Sequence, residues 1–161
     1  MSEHEGIQFV EVPGWPRPKG FSQGVVTGRE RTLYVAGQVG WNARQEFETH
    51  DFAAQFAQAL DNVLAVVRAA GGAPEDVVKM TMYVTDLPAY RAAQGALGPI
   101  WRERFGRHFP AMALVGVAGL VEEQALVEIE TTCALRDGGS ARPSPGRSAE
   151  LCPQTPGLEG K

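Results

Sequence analysis

The chain predicts an α+β fold, a mixed sheet that carries two helices on one face. Three observations lead there. The apolar periods follow the order strand-strand-strand-helix-strand-helix-strand-strand, which combines hairpin-like strands with helical crossovers. Residues 51–70 repeat their apolar side chains at helical spacing, whereas residues 78–84 and 126–135 alternate at every second position. Two helices cover one sheet face and leave the other bare, and self-association is the usual cover for such a surface.

Residues 7–12 form a short apolar-rich run stopped by Pro13-Gly14, with Pro16 and Pro18 behind it. They read as a first strand followed by an irregular loop. Residues 21–27 and 32–36 read as two strands joined by a hairpin turn over Gly28-Arg29-Glu30-Arg31. Gly37-Gln38-Val39-Gly40 then breaks the alternation. In residues 51–70 the side chains of Phe52, Phe56, Leu60, Val63, Leu64 and Val67 make one stripe. Asp51 is placed to cap this helix, and Gly71-Gly72 with Pro74 ends it. Burying each stripe residue contributes roughly 1.5–3 kcal/mol before entropy is subtracted, so the helix must lie on an apolar sheet face. Val78, Met80, Met82 and Val84 alternate with Lys79, Thr81 and Tyr83 as a strand. Asp86 is placed to cap the second helix, whose apolar side is Tyr90, Ala93, Leu97, Ile100, Trp101 and Phe105. Gly98-Pro99 predicts a kink or split in it, because proline lacks an amide donor and crowds the preceding turn. Residues 111–117 and 126–135 are the last strands. In the second of these, Leu126, Glu128, Glu130 and Thr132 share one face; Val127, Ile129, Thr131 and Cys133 share the other.

The domain spans residues 1–136, its folded unit beginning near residue 7. Residues 137–161 hold five Gly, four Pro and three Ser with few large apolar side chains. Such a segment cannot offset its ordering entropy and reads as a disordered tail.

Composition excludes several function classes. Fifteen Lys and Arg against nineteen Asp and Glu leave a net charge of −4, without the basic footprint of a nucleic-acid binder or a membrane-surface protein. No run of apolar residues is long enough for a membrane span. The acidic N-terminal residues resemble no secretory signal, so the expected setting is the cytoplasm. Cys133 and Cys152 make no C-x-x-C pair, and His4, His50 and His108 show no ligand spacing, so no metal is expected. Phosphate-binding glycine motifs and G-x-S-x-G are missing, and Ser22 is the only serine between residues 3 and 139.

Glu128 is the candidate functional group. It stands in an otherwise apolar strand, where a carboxylate must be solvated or hydrogen-bonded. It is either a solvent-facing residue on an outer strand face or a carboxylate at a cleft, positioning water and passing a proton. Glu130 shares its face, so either acid can be the exposed one. Trp101, Met80 and Met82 are expected in the core, Cys133 as a buried hydrophobe, and His108 at the surface ahead of Phe109-Pro110-Ala111.

Five ordered blocks resemble the RidA/YjgF family of imine deaminases: LYVAGQVG from Leu33, ALDNVLAVVRAAG from Ala59, DVVKMTMYVTDL from Asp76, HFPA from His108 and LVEIE from Leu126. The match covers about residues 20–135. The resemblance implies a chorismate-mutase-like subunit and a homotrimer with ligand sites in its intersubunit clefts. It also implies cofactor-free hydrolysis of enamines and imines, such as 2-aminoacrylate, to a 2-oxo acid and ammonia. The family's catalytic glutamate falls on Glu128. Its substrate-gripping arginine falls on Met112, a neighbouring cysteine on Leu114, the tyrosine on Phe21, the serine on Ala36 and the asparagine on Gln94. Gly37 follows in the same block as Ala36, and Trp41 is placed at the cleft mouth, or else as a packing residue.

The acid is thus kept while the carboxylate grip is lost. A bidentate guanidinium contact comprises charge-assisted bonds of roughly 1.5–3 kcal/mol each, so its loss weakens binding of a small 2-imino acid by about two to four decades. Arg44 or Arg91 is either a cation supplied from another direction or a solvated arginine. Two functions are carried forward. One is a cofactor-independent imine or enamine deaminase for a larger or more apolar substrate. The other is a trimer that binds an apolar small molecule or a partner without turnover. Some relatives are described as ribonucleases or translation inhibitors, but the acidic chain lacks the charge to hold phosphates.

Overall fold

The structure, a computed structural model, describes residues 7–16, 24–27 and 31–135. Phe21, residues 28–30 of the expected hairpin turn, Cys152 and the tail 137–161 lie outside the described residues. Six strands and two long helices follow in the expected order: β1 (Ile7–Val10), β2 (Gly24–Thr27), β3 (Arg31–Val39), α1 (Phe52–Ala69), β4 (Val77–Val84), α2 (Leu87–Phe105), β5 (Ala111–Gly116) and β6 (Val127–Leu135). They make one mixed sheet of order β1-β2-β3-β6-β4-β5. Neighbours run antiparallel except β4 and β5, which are parallel and joined by α2. The last strand, β6, enters between β3 and β4 and so lies at the centre of the sheet.

The α1 stripe explains the layering. Leu60, Val63, Leu64 and Val67 are fully buried and meet Leu33, Val77, Met80, Val127 and Ile129 from the sheet in one cluster. Asp51 caps α1 by accepting from the Ala54 amide at 2.9 Å, and Asp86 caps α2 through the Ala89 amide at 2.8 Å. Gly71, with φ +80°, carries the chain out of α1 in a conformation that a side chain would resist. Arg104 of α2 holds Asp61 of α1 with two bonds of 2.7 and 2.8 Å, and this pairing holds its guanidinium pKa above the ordinary arginine range.

One expectation is narrowed and one corrected. Of the kink or split expected at Gly98-Pro99, the split does not occur; α2 runs continuously from Leu87 to Phe105. Gly95, Gly98 and Pro99 all lie on its exposed side. Water can satisfy the carbonyl that proline leaves without a partner, and the glycines make room for the ring. His108 is half-buried rather than superficial. Its Nε2 lies 2.7 Å from the Val77 carbonyl, and its own carbonyl accepts from Trp101 Nε1 at 3.1 Å. Trp101 itself is buried and stacks on Phe105 and Phe109, and Met80, Met82 and Cys133 are buried as expected.

The pattern break at residues 37–40 is a bulge inside a longer strand. Val35 pairs with Thr131 and Gln38 with Ile129, so Ala36 and Gly37 together oppose the single residue Glu130. The extra residue reverses which side chains face the helices. Gln38 takes the helix side, and Val39 turns toward Glu128, its partner in the ladder.

Candidate functional site

The site forms on the sheet face that the helices leave bare. Glu128 of β6 pairs across the ladder with Val39 of β3 and Tyr83 of β4. Its side chain is half-buried and leans over the bulge. A Cβ added at Gly37 would fall on the Glu128 carboxylate, within 2.8 Å of Cδ and 3.0 Å of Cγ. Gly37 is therefore the gap in β3 that the acid occupies. Beside it opens a cavity of about 340 Å³ whose walls include Trp15, Ala36, Val39, Trp41, Val121 and Glu122.

Two loops shape the mouth, and amides from α1 tie both to the core. Asn62 donates to the Val39 and Trp41 carbonyls at 2.9 and 2.8 Å. Gln55, fully buried, donates to the Thr49 and Gln124 carbonyls and accepts from the Leu126 amide, all within 2.9 Å. One side chain thus pins the loop before α1 and the loop before β6. Asn42 folds the rim into a tight turn by accepting from the Arg44 and Glu46 amides. That turn holds Gln45, another cavity residue, at φ +62°, a conformation uncommon outside glycine.

Burial pushes the Glu128 pKa above the usual carboxylate range, and the negative charges of Glu130 and Glu122 raise it further. Among the described residues no donor reaches its carboxylate to oppose these effects. Glu130, the more exposed acid, accepts from the Tyr83 hydroxyl at 2.9 Å, and this bond raises the Tyr83 pKa. Burial pushes the Cys133 thiol up to about 12, which leaves it without thiolate at neutral pH. Among the described residues no cluster of three His, Cys, Asp or Glu side chains is arranged to hold a metal ion.

Of the residues read from the sequence, Ala36, Gly37, Trp41 and Glu128 come together around this cavity. Gln94 sits on the exposed side of α2. Met112 is on the edge strand opposite Met80, 46% exposed, and Leu114 opposes Met82 and packs against the core. These three do not line the cavity of the single chain. Arg44 stands at the rim and pairs with Glu46 at 2.9 Å, and Arg91 is exposed on α2. The sequence reading passed over Trp15, Glu122, Gln55 and Asn62. For the two amides a signal existed: they stand seven residues apart among apolar neighbours on the buried side of α1, where an unpartnered amide would be costly.

Fold and site define a small α+β protein with one partly desolvated glutamate at an aromatic-walled cavity. Comparison with known proteins narrows this class. Residues 16–135 match the family model described as endoribonuclease L-PSP. A Dermatophagoides farinae protein named 2-iminobutanoate/2-iminopropanoate deaminase is 36% identical, over 77% of this chain and 93% of its own length. The Escherichia coli K12 protein of the same name is 34% identical, over 72% and 88%. Among solved structures, RidA from an Antarctic Psychrobacter superposes with a TM-score of 0.68 at 32% identity, covering 80% of this chain and 99% of that one. The E. coli YjgF gene product gives 0.69 at 31% identity, with the same coverage. The chain belongs to the RidA/YjgF family.

Proposed function

We propose that this protein is a cofactor-independent imine or enamine deaminase that hydrolyses C=N to C=O with release of ammonia. Its substrate is not a small 2-imino acid, and it works as a homotrimer. The observation that carries the reading is Glu128: a carboxylate fitted into the gap at Gly37, partly desolvated, beside a cavity large enough for a small organic molecule. Water adds to the imine carbon while Glu128 takes its proton. The same group then returns the proton to the nitrogen of the carbinolamine, the C–N bond breaks, and ammonia leaves. A raised pKa suits a group that must both accept and give a proton near neutrality. The deaminase names of the relatives support this chemistry. Methionine where the family carries its carboxylate-binding arginine, with alanine at position 36, favours an apolar substrate.

The test is ammonia release from imines generated in situ by amine or amino-acid oxidases. Glu128→Gln should lower the rate by about 10²–10⁴-fold, the usual contribution of a positioned acid–base group. Equal rates for the two proteins would defeat the assignment. They would favour the second reading, a trimeric small-molecule binder without turnover, to which the same polar-to-apolar replacements also point.

A further inference from the structure

The cavity has a charge polarity that the deaminase reading alone does not explain. Among the described residues, the ionisable side chains lining it are those of Glu122 and Glu128, and no lysine or arginine lines it. The guanidinium on the same rim, that of Arg44, is engaged by Glu46. The remaining walls are largely apolar, and two of them are indoles. Trp41 is fixed through its own carbonyl by Asn62, and its ring lies against Phe47 at a centroid distance of 6.1 Å. The Trp15 backbone is held by its N–H, which donates a hydrogen bond to the Val12 carbonyl at 3.1 Å.

An anion entering this space meets the half-buried carboxylate of Glu128, which is screened less than in bulk water, and the exposed carboxylate of Glu122 in the same wall. A cation is attracted by the same charges and has two indoles in the wall, the best aromatic partners for a positive group. Resting on the deaminase reading, we propose that the cavity selects positively charged imines that carry no carboxylate, with Glu122 as the specificity-determining anion and Trp15 and Trp41 as the walls that receive the cation. The substrate class is the iminium left when a primary amine is oxidised. The step balances as one iminium cation plus one water giving one aldehyde or ketone plus one ammonium ion. Water's oxygen bonds to the iminium carbon and its proton passes to Glu128. That proton then goes to nitrogen, the C–N bond breaks toward nitrogen, and the remaining proton is taken up by ammonia. A reaction that oxidises primary amines must supply this substrate, and one that consumes aldehydes or ketones must take the product.

The experiment compares two imines that differ only in the carboxylate, made in situ from 2-phenylethylamine and from phenylalanine. The wild-type full-length protein should prefer the imine of the amine by about tenfold or more in kcat/KM. Glu122→Lys should bring that ratio to unity or reverse it. In parallel, calorimetry should show 2-phenylethylammonium binding about tenfold or more tighter than 3-phenylpropanoate, with Glu122→Lys exchanging their order. A preference for the carboxylate-bearing imine, or a ratio unmoved by Glu122→Lys, overturns the charge assignment while leaving the deaminase intact. Turnover of neither imine, with the ammonium compound still favoured in binding, overturns the deaminase and upholds the polarity of the site.

Discussion

Glu128 is held where its charge is poorly supported, and this has consequences for both rate and stability. The groups facing it are Glu130 and Tyr83 on the sheet and Glu122 on the loop before β6. As a base it must be ionised, so kcat/KM should fall on the acid side around a pKa above the ordinary glutamate range. Glu130→Gln should move that limb to lower pH by removing one of the charges that raise it. The stability effect has the opposite sign to that of a salt-bridged acid. The folded state keeps the proton at a pH where the unfolded chain has lost it, so the ionised group weakens the fold at neutrality, and the penalty disappears as pH falls below the unfolded value. Glu128→Gln, while losing activity, should therefore raise the urea midpoint at about pH 7 and lose most of that gain near pH 4, the intrinsic glutamate range. Equal midpoints at neutrality would mean the carboxylate is not strained by its surroundings. Gly37 supplies the companion prediction. Its φ is not positive, so alanine meets no left-handed backbone penalty there; the nearest atoms its Cβ would meet are those of the acid. Gly37→Ala should push the carboxylate toward water, lower kcat by about 10²-fold through misplacement, and bring the acid limb down in pH. A loss of rate with an unmoved limb would assign Gly37 a different role.

At the level of elements, the helices separate fold from function. Pro99 lies on the exposed side of α2, far in sequence from every cavity residue. Alanine would restore one backbone hydrogen bond, from its N–H to the Gly95 carbonyl, and relieve the ring's crowding. Pro99→Ala should stabilise the protein by about 2 kcal/mol with kcat unchanged, read from urea titration beside the deaminase assay. What was legible in the sequence follows the same division. The α1 stripe, both Asp caps and the two faces of β6 were legible because each is a local repeat or a neighbour-to-neighbour contact. The bulge at Ala36-Gly37 registered only as a broken pattern, because a bulge is a relation between two strands about ninety residues apart in sequence. Glu128 stood out as an acid among apolar neighbours. Glu122 did not, because a loop glutamate has the same appearance whether it faces water or a cavity. The continuity of α2 through Pro99 depended on which side of the helix faces solvent, which the tertiary packing decides.

For the molecule as a whole, the decisive feature is the uncovered side of the sheet. Tyr34 and Thr132, Thr81 and Glu130, and Tyr83 with Glu128 and Val115 are cross-strand partners on that side, and Tyr34 is 51% exposed. Glu128 shares this face, so whatever covers the sheet also bears on how dry the acid is. A homotrimer, the assembly proposed here, would bring assembly and acid strength under one control. The wild-type protein should then sediment at about three times its 17.3 kDa chain mass. Tyr34→Glu sets a new carboxylate on the face where Glu130 already stands, and like charges in a buried interface cost enough to dissociate it. The variant should run as a monomer that remains folded, because Tyr34 takes no part in the core beneath. Its acid limb should move to lower pH as water reaches Glu128, and its kcat/KM should fall by about tenfold or more as the cavity loses a wall. A wild-type monomer with full deaminase activity would show that the site is complete within one chain. A monomeric Tyr34→Glu with an unmoved limb would show that the acid owes its strength to the bulge and its two neighbouring carboxylates alone.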